Sequence, residues 1–327
     1  MKDLSTKYLG LNLQSPLIVG SSGLTKTVDS IKLLAENGAG AVVLKSLFEE
    51  QIEAELSRNL ESYQADYPDA FDYIRSYTRE NALSEYLDLI ADAKKAVDIP
   101  IIASINCISG SEWVAFAKSL EKAGADAIEL NVSLLPSDPR MSCQDSEKHY
   151  FDIVEKVSSI ITIPLSLKMS SYSSALANLI TRLSWTNKVA GFVLFNRYYR
   201  PDVDIHKMTV TKADIFSTPS EMTESLRWIA LLSAQVEKDF AASTGVHDSG
   251  GVIKHLLVGA AAVQVVTAVY KNGPGYIATL LQGMENWMDE KKFDRLADFR
   301  GFLSYRNAEN PAAFERIQFM KQFGGIA

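Results

Sequence analysis

The sequence contains few of the residues that build disulfides and metal sites. Its 327 residues include two cysteines, Cys107 and Cys143, and four histidines. Two cysteines cannot form a disulfide framework or a multi-cysteine metal site. The histidines do not recur at the short spacings of metal ligands. The composition therefore predicts a protein without a bound metal and without a disulfide framework.

An excess of positive charge and long apolar runs are also missing. Lys and Arg number 33 against 40 Asp and Glu, a net charge of −7, which argues against a general binder of nucleic acid or acidic membranes. The segment Met1–Tyr8 has no apolar signal core, and no apolar run reaches the length of a membrane span. We therefore expect a cytoplasmic protein that acts on a small molecule, with neither a nucleic acid nor a membrane as its partner.

What is present is a large apolar fraction with an internal repeat. Hydrophobic residues make up 47% of the chain, enough for one large α/β barrel or two smaller domains. In four places a helical segment ends in a turn of glycine and alanine and passes directly into a buried strand, at residues 37–44, 122–130, 189–195 and 257–265. Proline or a polar turn introduces the other predicted strands.

The predicted elements alternate between strand and helix along the whole chain. Apolar runs predict strands at 17–20, 39–44, 99–104, 127–130, 163–168, 190–196, 240–245 and 261–267. Amphipathic segments predict helices at 27–37, 85–97, 111–123, 145–160, 174–186, 222–238, 251–258 and 274–290.

Eight strand–helix units in this length predict a single-domain α/β fold, the (β/α)8 TIM barrel. The pattern leaves an insert after strand 2 (47–84), a long excursion after strand 6 (197–220) and a C-terminal extension (291–327). A doubly wound open sheet is the alternative. It needs a glycine-rich dinucleotide turn, which Ser-Ser-Gly at 21–23 matches poorly.

In such a barrel the carboxyl ends of all strands meet on one face, where ligands bind. The predicted strand ends carry the polar residues Ser21, Lys45, Ser46, Asn106, Asn131, Lys168, Asn196, Thr244 and Thr267. A lysine at a buried strand end faces an anion or an electron-rich ring, or it is paired with a nearby carboxylate; both interpretations stay open for Lys45 and Lys168. Backbone N–H groups at the last two strand ends, 244–246 and 266–267, predict a phosphate site.

Taken in order, these motifs resemble the dihydroorotate dehydrogenase family of FMN-dependent barrels, closest to its soluble class 1 branch. The resemblance covers nearly the whole chain and rests on residues 15–22, 40–46, 129–133, 164–168, 195–196, 244–245 and 264–267. It implies an oxidoreductase of pyrimidine metabolism or a related reaction, FMN as the cofactor and a homodimer.

The resemblance also implies roles for the matching residues. FMN would be bound by Ser21, Ser22, Lys45, Ser46, Asn106, Asn131, Lys168, Asn196, Thr244, Gly245, Val266 and Thr267. Lys168 would act in catalysis by stabilising negative charge on the reduced flavin. Asn131 and Asn196 would also contact substrate edges, and Arg197 is a further candidate for substrate binding. Independently of the resemblance, Arg200 follows Tyr198 and Tyr199, and an arginine beside aromatic residues suits a substrate that carries a carboxylate.

The substrate half of the site departs from the family pattern. Where the family has the Cys or Ser that takes the substrate proton, this chain has Leu134, which cannot accept one. The family's Asn-x-Gly-Leu loop is missing from 47–84, and Arg197 stands where the family has serine. Ser133 and Cys143 are the candidate replacement bases. Against them, adjacent strand residues point to opposite faces, and Cys143 can equally be an ordinary loop thiol.

These observations leave several functions open. The leading interpretation is an FMN-dependent oxidoreductase that acts on a CH–CH bond of a dihydropyrimidine-like or other small substrate. A second is a genuine dihydroorotate dehydrogenase with a non-standard base. A third, from another class, is a flavin-free lyase or synthase that binds a phosphate-bearing ligand. A fourth is a regulatory protein that retains flavin without turnover.

Overall fold

The computed structural model describes residues 2–48, 68–106, 110–132, 134–198, 200–212 and 214–315. Several sequence predictions fall outside the described residues: the candidate base Ser133, Cys107, Tyr199, much of the insert at 47–84 and the end of the C-terminal extension. The predicted barrel itself lies almost wholly within them.

A closed ring of parallel strands forms the centre of the molecule. Its strands are β1 Leu17–Val19, β2 Ala41–Val43, β3 Ile101–Asn106, β4 Ala127–Asn131, β5 Leu165–Met169, β6 Gly191–Leu194, β7 Asp239–Ala242 and β8 Ala262–Val265. Each strand pairs in parallel with the next, and β8 pairs with β1 through Val263 and Leu17, which closes the ring. A further strand, Leu47–Phe48, extends beside the end of β3. The predicted (β/α)8 barrel is confirmed.

Helices surround the ring. They are α1 Val28–Glu36, α2 Pro68–Ala96, α3 Gly110–Ala123, α4 Cys143–Ser158, α5 Leu176–Trp185, α6 Met222–Leu232, α7 Ser249–Leu257, α8 Thr267–Asn272, α9 Tyr276–Lys291 and α10 Ala312–Glu315, with 3-10 turns at Gly23–Thr25, Pro219–Glu221 and Leu296–Asp298. Helix α2 begins inside the predicted insert, where polar composition hid any helical period. A helix suited to crossing a membrane is not found among the described residues.

Two antiparallel hairpins, Thr6–Tyr8 with Leu11–Leu13 and Pro201–Asp204 with Thr209–Lys212, were not predicted. The first closes the amino-terminal end of the barrel. Tyr8 and Leu9 are 1% and 2% exposed and pack among the inward-facing apolar residues of the strands. The Leu9 N–H donates to Asp239 Oδ2 at 2.7 Å, and Thr6 Oγ1 donates to the Ala261 carbonyl at 3.0 Å. This N-terminal hairpin is the floor of the barrel.

The interior of the ring changes from apolar to polar along its axis. Alternate residues of a strand face the same side, so Ala127, Glu129 and Asn131 of β4 all point inward. Near the floor the inward positions hold small or branched apolar residues such as Ala127. Nearer the mouth they hold buried polar side chains, among them Glu129, which is 1% exposed. The fold thus presents its polar groups at the carboxyl end of the strands.

A buried histidine outside this interior predicts how stability depends on pH. His255 in α7 is fully buried; its Nδ1 donates to the Gly251 carbonyl at 2.8 Å, and Ser225 Oγ lies 2.9 Å from its Nε2. Burial lowers the pKa of His255 to about 4. Between pH 6.5 and 4 the unfolded chain therefore binds a proton that the folded chain does not, so stability is full above pH 6.5 and falls as the pH drops.

We expect this loss to reach about 3 kcal/mol at pH 4, measured by denaturant unfolding across the window. His255→Asn should be less stable at pH 7 but should lose less stability on acidification. His206→Asn, at an exposed position, is the control and should keep the wild-type slope. Parallel profiles for wild type and His255→Asn would show that His255 is not the group responsible.

Candidate active site

A buried polar triad lies across the inside of the barrel near its mouth. Lys168 of β5 is 8% exposed, and its Nζ donates to Gln264 Oε1 at 2.9 Å. Gln264 of β8 donates in turn from Nε2 to Glu129 Oε2 at 2.5 Å. Glu129 Oε1 is 3.5 Å from the lysine Nζ and has no hydrogen-bond partner among the described residues. The triad pairs two opposite charges at buried positions.

The two lysines therefore differ. Lys168 is paired with a carboxylate, as the alternative interpretation allowed, yet it also lines the cleft described below. Lys45, just beyond β2, is half-buried, and no hydrogen bond or ion pair links it to another described residue. Pairing with Glu129 offsets the cost of burying the Lys168 ammonium. Lys168 is thus held at the mouth in a fixed position.

A cleft opens at the carboxyl ends of β1, β5, β6, β7 and β8. It is lined by Ser21, Lys168, Asn196, Arg197, Ile215, Ser217, Ser243, Thr244, Gly245, Val246, Gln264, Val266 and Thr267. Eight of the predicted site residues meet here, namely Ser21, Lys168, Asn196, Arg197, Thr244, Gly245, Val266 and Thr267. Five others are described but stand outside this lining, namely Ser22, Lys45, Ser46, Asn106 and Asn131.

Hydroxyl and amide side chains connect the strand ends. Ser21 Oγ lies 3.0 Å from Ser46 Oγ, which lies 2.7 Å from Ser104 Oγ, so a row of serines joins β1 to β3. Across the mouth, Asn196 Nδ2 donates to Asn131 Oδ1 at 2.9 Å. Asn131 therefore reaches the cleft through its contact with Asn196.

Two predicted residues have local tasks. Ser22 caps the turn Gly23–Thr25, since its Oγ accepts from the Leu24 N–H, and it also donates to the Gly20 carbonyl at 3.1 Å. Asn106, half-buried, ends β3 and pairs with the short strand at Phe48.

We call the end of the cleft between β7 and β8, where the sequence predicts a phosphate site, the phosphate corner. Thr244 and Gly245 follow β7 with φ of 77° and 80°, and Thr244 Oγ1 donates to the Phe195 carbonyl at 3.1 Å. A positive φ is unusual for a β-branched residue and marks a backbone held for a purpose. Ser217, from the excursion after β6, donates from Oγ to Thr267 Oγ1 at 3.1 Å and lies 3.1 Å from His247 Nε2.

Arg197, predicted to contact the substrate, has several partners within the protein. Its guanidinium lines the cleft, but it donates to Glu221 Oε2 at 3.0 Å and to the carbonyls of Ile215, Asp214 and Phe216 at 2.7, 3.0 and 3.1 Å. The guanidinium is therefore engaged by the protein. That Arg197 contacts the substrate stays a prediction. Its backbone partners could not be predicted, because main-chain carbonyls leave no trace in a side-chain pattern.

Comparison with known proteins agrees with this geometry. A model of the dihydroorotate dehydrogenase family matches residues 3–288. The chain belongs to the dihydroorotate dehydrogenase family. The family is one of oxidoreductases, and the resemblance predicted from the motifs is confirmed.

Curated relatives align over almost their full length. The catalytic subunit of dihydroorotate dehydrogenase B (NAD(+)) from Thermoplasma volcanium is 26% identical over 313 residues, covering 92% of this chain and 98% of the relative. The putative dihydroorotate dehydrogenase A (fumarate) from Aeropyrum pernix is also 26% identical over 313 residues, with 92% and 97% covered. Dihydroorotate dehydrogenase A (fumarate) from Lactococcus lactis subsp. lactis is 24% identical over 328 residues, with 92% and 99% covered.

Leu134, which the motif pattern predicts at the position of the family's usual base, is an apolar residue. The Leu134 side chain is partly buried and packs against the main hydrophobic core. Its carbonyl accepts from Ser170 Oγ at 3.2 Å and from the Tyr198 hydroxyl at 3.3 Å. Cys143 is exposed at the first turn of α4, with Ser174 Oγ 3.6 Å from its sulfur. Two hydroxyl groups, from Ser170 and Tyr198, therefore contact the Leu134 backbone, although the Leu134 side chain has no hydroxyl.

Sequence reasoning missed four residues of the site. Gln264 was noted only within a motif, while Ser217, Glu221 and His247 were not considered for the site. A polar residue at an inward position of a buried strand was the available signal for Gln264. The other three belong to loops, where no period says which way a side chain points.

The triad yields a prediction about stability. Lys168→Met should destabilise the fold by about 3–5 kcal/mol, because it leaves the Glu129 carboxylate buried without a counter-charge. Adding Glu129→Gln should recover most of that loss, since both charges are then gone. Denaturant unfolding of the wild type, both single variants and the double variant measures the coupling. Additive losses would mean that the two charges do not depend on each other.

Gly245 yields a second prediction. A Cβ at this residue would lie 2.3 Å from the Met222 backbone nitrogen, so the protein itself demands glycine here, whatever binds in the cleft. Gly273 is a matched control, because its φ is similarly positive at 83° but nothing lies within 4 Å of an added Cβ. Gly273→Ala should cost about 1–2 kcal/mol for backbone conformation alone, and Gly245→Ala clearly more. Equal losses in thermal unfolding would contradict the close contact.

Proposed function

We propose that this protein is an FMN-dependent oxidoreductase that acts on a CH–CH bond of a small, dihydropyrimidine-like substrate for which dihydroorotate is a poor stand-in. One contrast carries the proposal. The cleft that would receive the cofactor is lined largely by polar residues, whereas the residue predicted at the position of the family's proton acceptor is Leu134, an apolar side chain packed against the core.

The residues of the cleft fit FMN by the chemistry of their donors. A single fixed ammonium, Lys168, stands at the inner end beside the Gln264 amide. The outer end is lined by Gly245, Val266 and Thr267, which bring backbone amides and one hydroxyl. A cation beside amides suits an electron-rich heterocycle, and N–H groups with hydroxyls suit a phosphate. These residues would hold the ring and the phosphate tail respectively.

Bound FMN would supply an acceptor for the hydride from one substrate carbon, and the proton from the neighbouring carbon would pass to water, because Leu134 cannot take it. The protein's own contribution is electrostatic and positional. Lys168 provides a positive charge against negative charge that develops in the cleft, and it needs no reorganisation because Gln264 and Glu129 already hold it. Asn131 and Asn196, joined across the mouth, present amide groups that orient a planar ring. The barrel floor at Tyr8 excludes water from below.

A second candidate, a genuine dihydroorotate dehydrogenase with a non-standard base, has one observation in its favour. The curated relatives aligned over 97–99% of their length are named as dihydroorotate dehydrogenases. In that case a hydroxyl near the Leu134 carbonyl, from Ser170 or Tyr198, would have to accept or relay the proton. Both already donate to that carbonyl.

Two measurements test the proposal. The purified protein should bind FMN, seen as quenched flavin fluorescence on titration and as flavin absorbance after gel filtration. Steady-state oxidation of dihydroorotate with fumarate, NAD or a dye as acceptor should then run at least a hundredfold below the median enzyme rate of about 10 s⁻¹, because a missing general base costs 10²–10⁴-fold.

Leu134→Cys sharpens this test, with Leu134→Ala as the control that opens the same space without a base. Only the cysteine variant should gain dihydroorotate turnover, by tenfold or more. Wild-type turnover near 10 s⁻¹ would favour the second candidate. Failure to bind FMN at all would refute both and leave the flavin-free lyase or synthase.

A further inference from the structure

The excursion after β6 (197–220) leaves the barrel and returns to it. Hydrogen bonds of Arg197 and Glu221 connect its two ends. Arg197 stands at its start. Its four hydrogen bonds run to Glu221 and to the three successive carbonyls of residues 214–216, on the returning segment. Arg200, also near the start, makes a second ion pair with Glu221 Oε2 at 3.1 Å.

Glu221 is the other half of this latch, defined here as Arg197 with Glu221. The carboxylate side chain is only 7% exposed. Burial by itself raises its pKa, but the hydrogen bond from the Thr218 N–H at 2.7 Å, together with the hydrogen bond and charge of Arg197, brings the pKa below the usual range. Glu221 is therefore ionised at neutral pH, and the latch is a true ion pair.

The latch encloses Ser217. Along the chain, Ser217 lies between Phe216, whose carbonyl accepts from Arg197, and Thr218, whose N–H donates to Glu221. Ser217 is 4% exposed, its N–H and its hydroxyl both point to Thr267 Oγ1, at 3.3 and 3.1 Å, and the hydroxyl lies 3.1 Å from His247 Nε2. Ser217 and Thr267 share the lining of the phosphate corner with Gly245.

We propose that Arg197 and Glu221 are positioning residues that hold Ser217 in the phosphate corner, so that this ion pair, outside the phosphate contacts, sets the preference of the protein for FMN over riboflavin. The inference rests on the proposed function, because it requires a flavin in the cleft. Neither latch residue needs to touch the phosphate. Their effect passes through the backbone of 214–218, which connects both residues to the corner.

Arginine suits this task better than lysine. A planar guanidinium can donate to a carboxylate and to several carbonyls at once, whereas an ammonium on a flexible stem satisfies fewer acceptors and fixes their geometry less. The arrangement also explains why Arg197 stands at a position where the family pattern has serine. In this chain that residue secures an excursion that carries part of the cofactor site.

The test is the affinity of flavin-free protein for FMN and for riboflavin, titrated by flavin fluorescence. Riboflavin lacks the phosphate and reports on the ring site alone. Arg197→Gln and Glu221→Gln should each weaken FMN binding about tenfold to a hundredfold, the effect of losing a hydrogen bond to a charged group, and should change riboflavin binding less than threefold. Arg182→Gln, which breaks the ion pair with Glu147 on the surface, is the matched control and should leave both affinities unchanged.

A double variant separates positioning from general damage. Ser217→Ala should lose the same preference for FMN, and adding Arg197→Gln to it should cause no further loss, because the latch acts through Ser217. If Arg197→Gln fails to fold, Arg197→Lys and Ser217→Ala carry the test, and an unchanged FMN-to-riboflavin ratio in Ser217→Ala overturns the inference.

The remaining outcomes are distinguishable from failure of the proposed function. A wild type that binds no flavin defeats the proposed function itself. If the wild type prefers FMN and a latch variant keeps that preference, or loses affinity for both ligands equally, only the latch inference is refuted.

Discussion

A pair of opposite charges enclosed in the barrel constrains much of the surrounding structure. Lys168 and Glu129 come from adjacent strands, and Gln264 joins them from β8, across the ring. Side chains alternate between the two faces of a strand. A slip of one residue in any of these three strands would therefore turn its polar group outward and leave the other two buried without that partner. The charges therefore enforce register in a barrel whose apolar positions alone specify it weakly.

Much of the fold could be predicted because its signal is local. Short apolar runs such as residues 39–44, which follow a turn of glycine and alanine, predict strands from the local sequence alone. The two hairpins could not be recognised in the same way. Their strands are only three or four residues long. Their turns contain Leu9 and Met208 with positive φ, and neither residue type is typical of such a turn. Short strands in polar sequence carry too little pattern to predict.

The site divides along the same line. Lys168, Asn196 and Thr267 were predictable because each ends a barrel strand, and topology brings strand ends together. Arg197 was predictable as a site residue, but its main-chain carbonyl partners were not. Ser217 could not be predicted at all, because its place in the corner depends on how a loop of twenty residues or so folds back. The cleft thus combines residues placed by barrel topology with residues placed by a loop, and only the first kind can be predicted from strand patterns.

The floor of the barrel has a consequence for the order in which the molecule can be made. Leu9 and Thr6 bond to Asp239 and Ala261, which lie 230 and 255 residues further along the chain. During synthesis the hairpin emerges from the ribosome long before its partners Asp239 and Ala261. Until Ala261 has emerged, the hairpin has nothing to close and the apolar interior stays open. Completion of the barrel is consequently a late event of synthesis, during which the nascent chain presents its inner face to whatever binds unfolded segments.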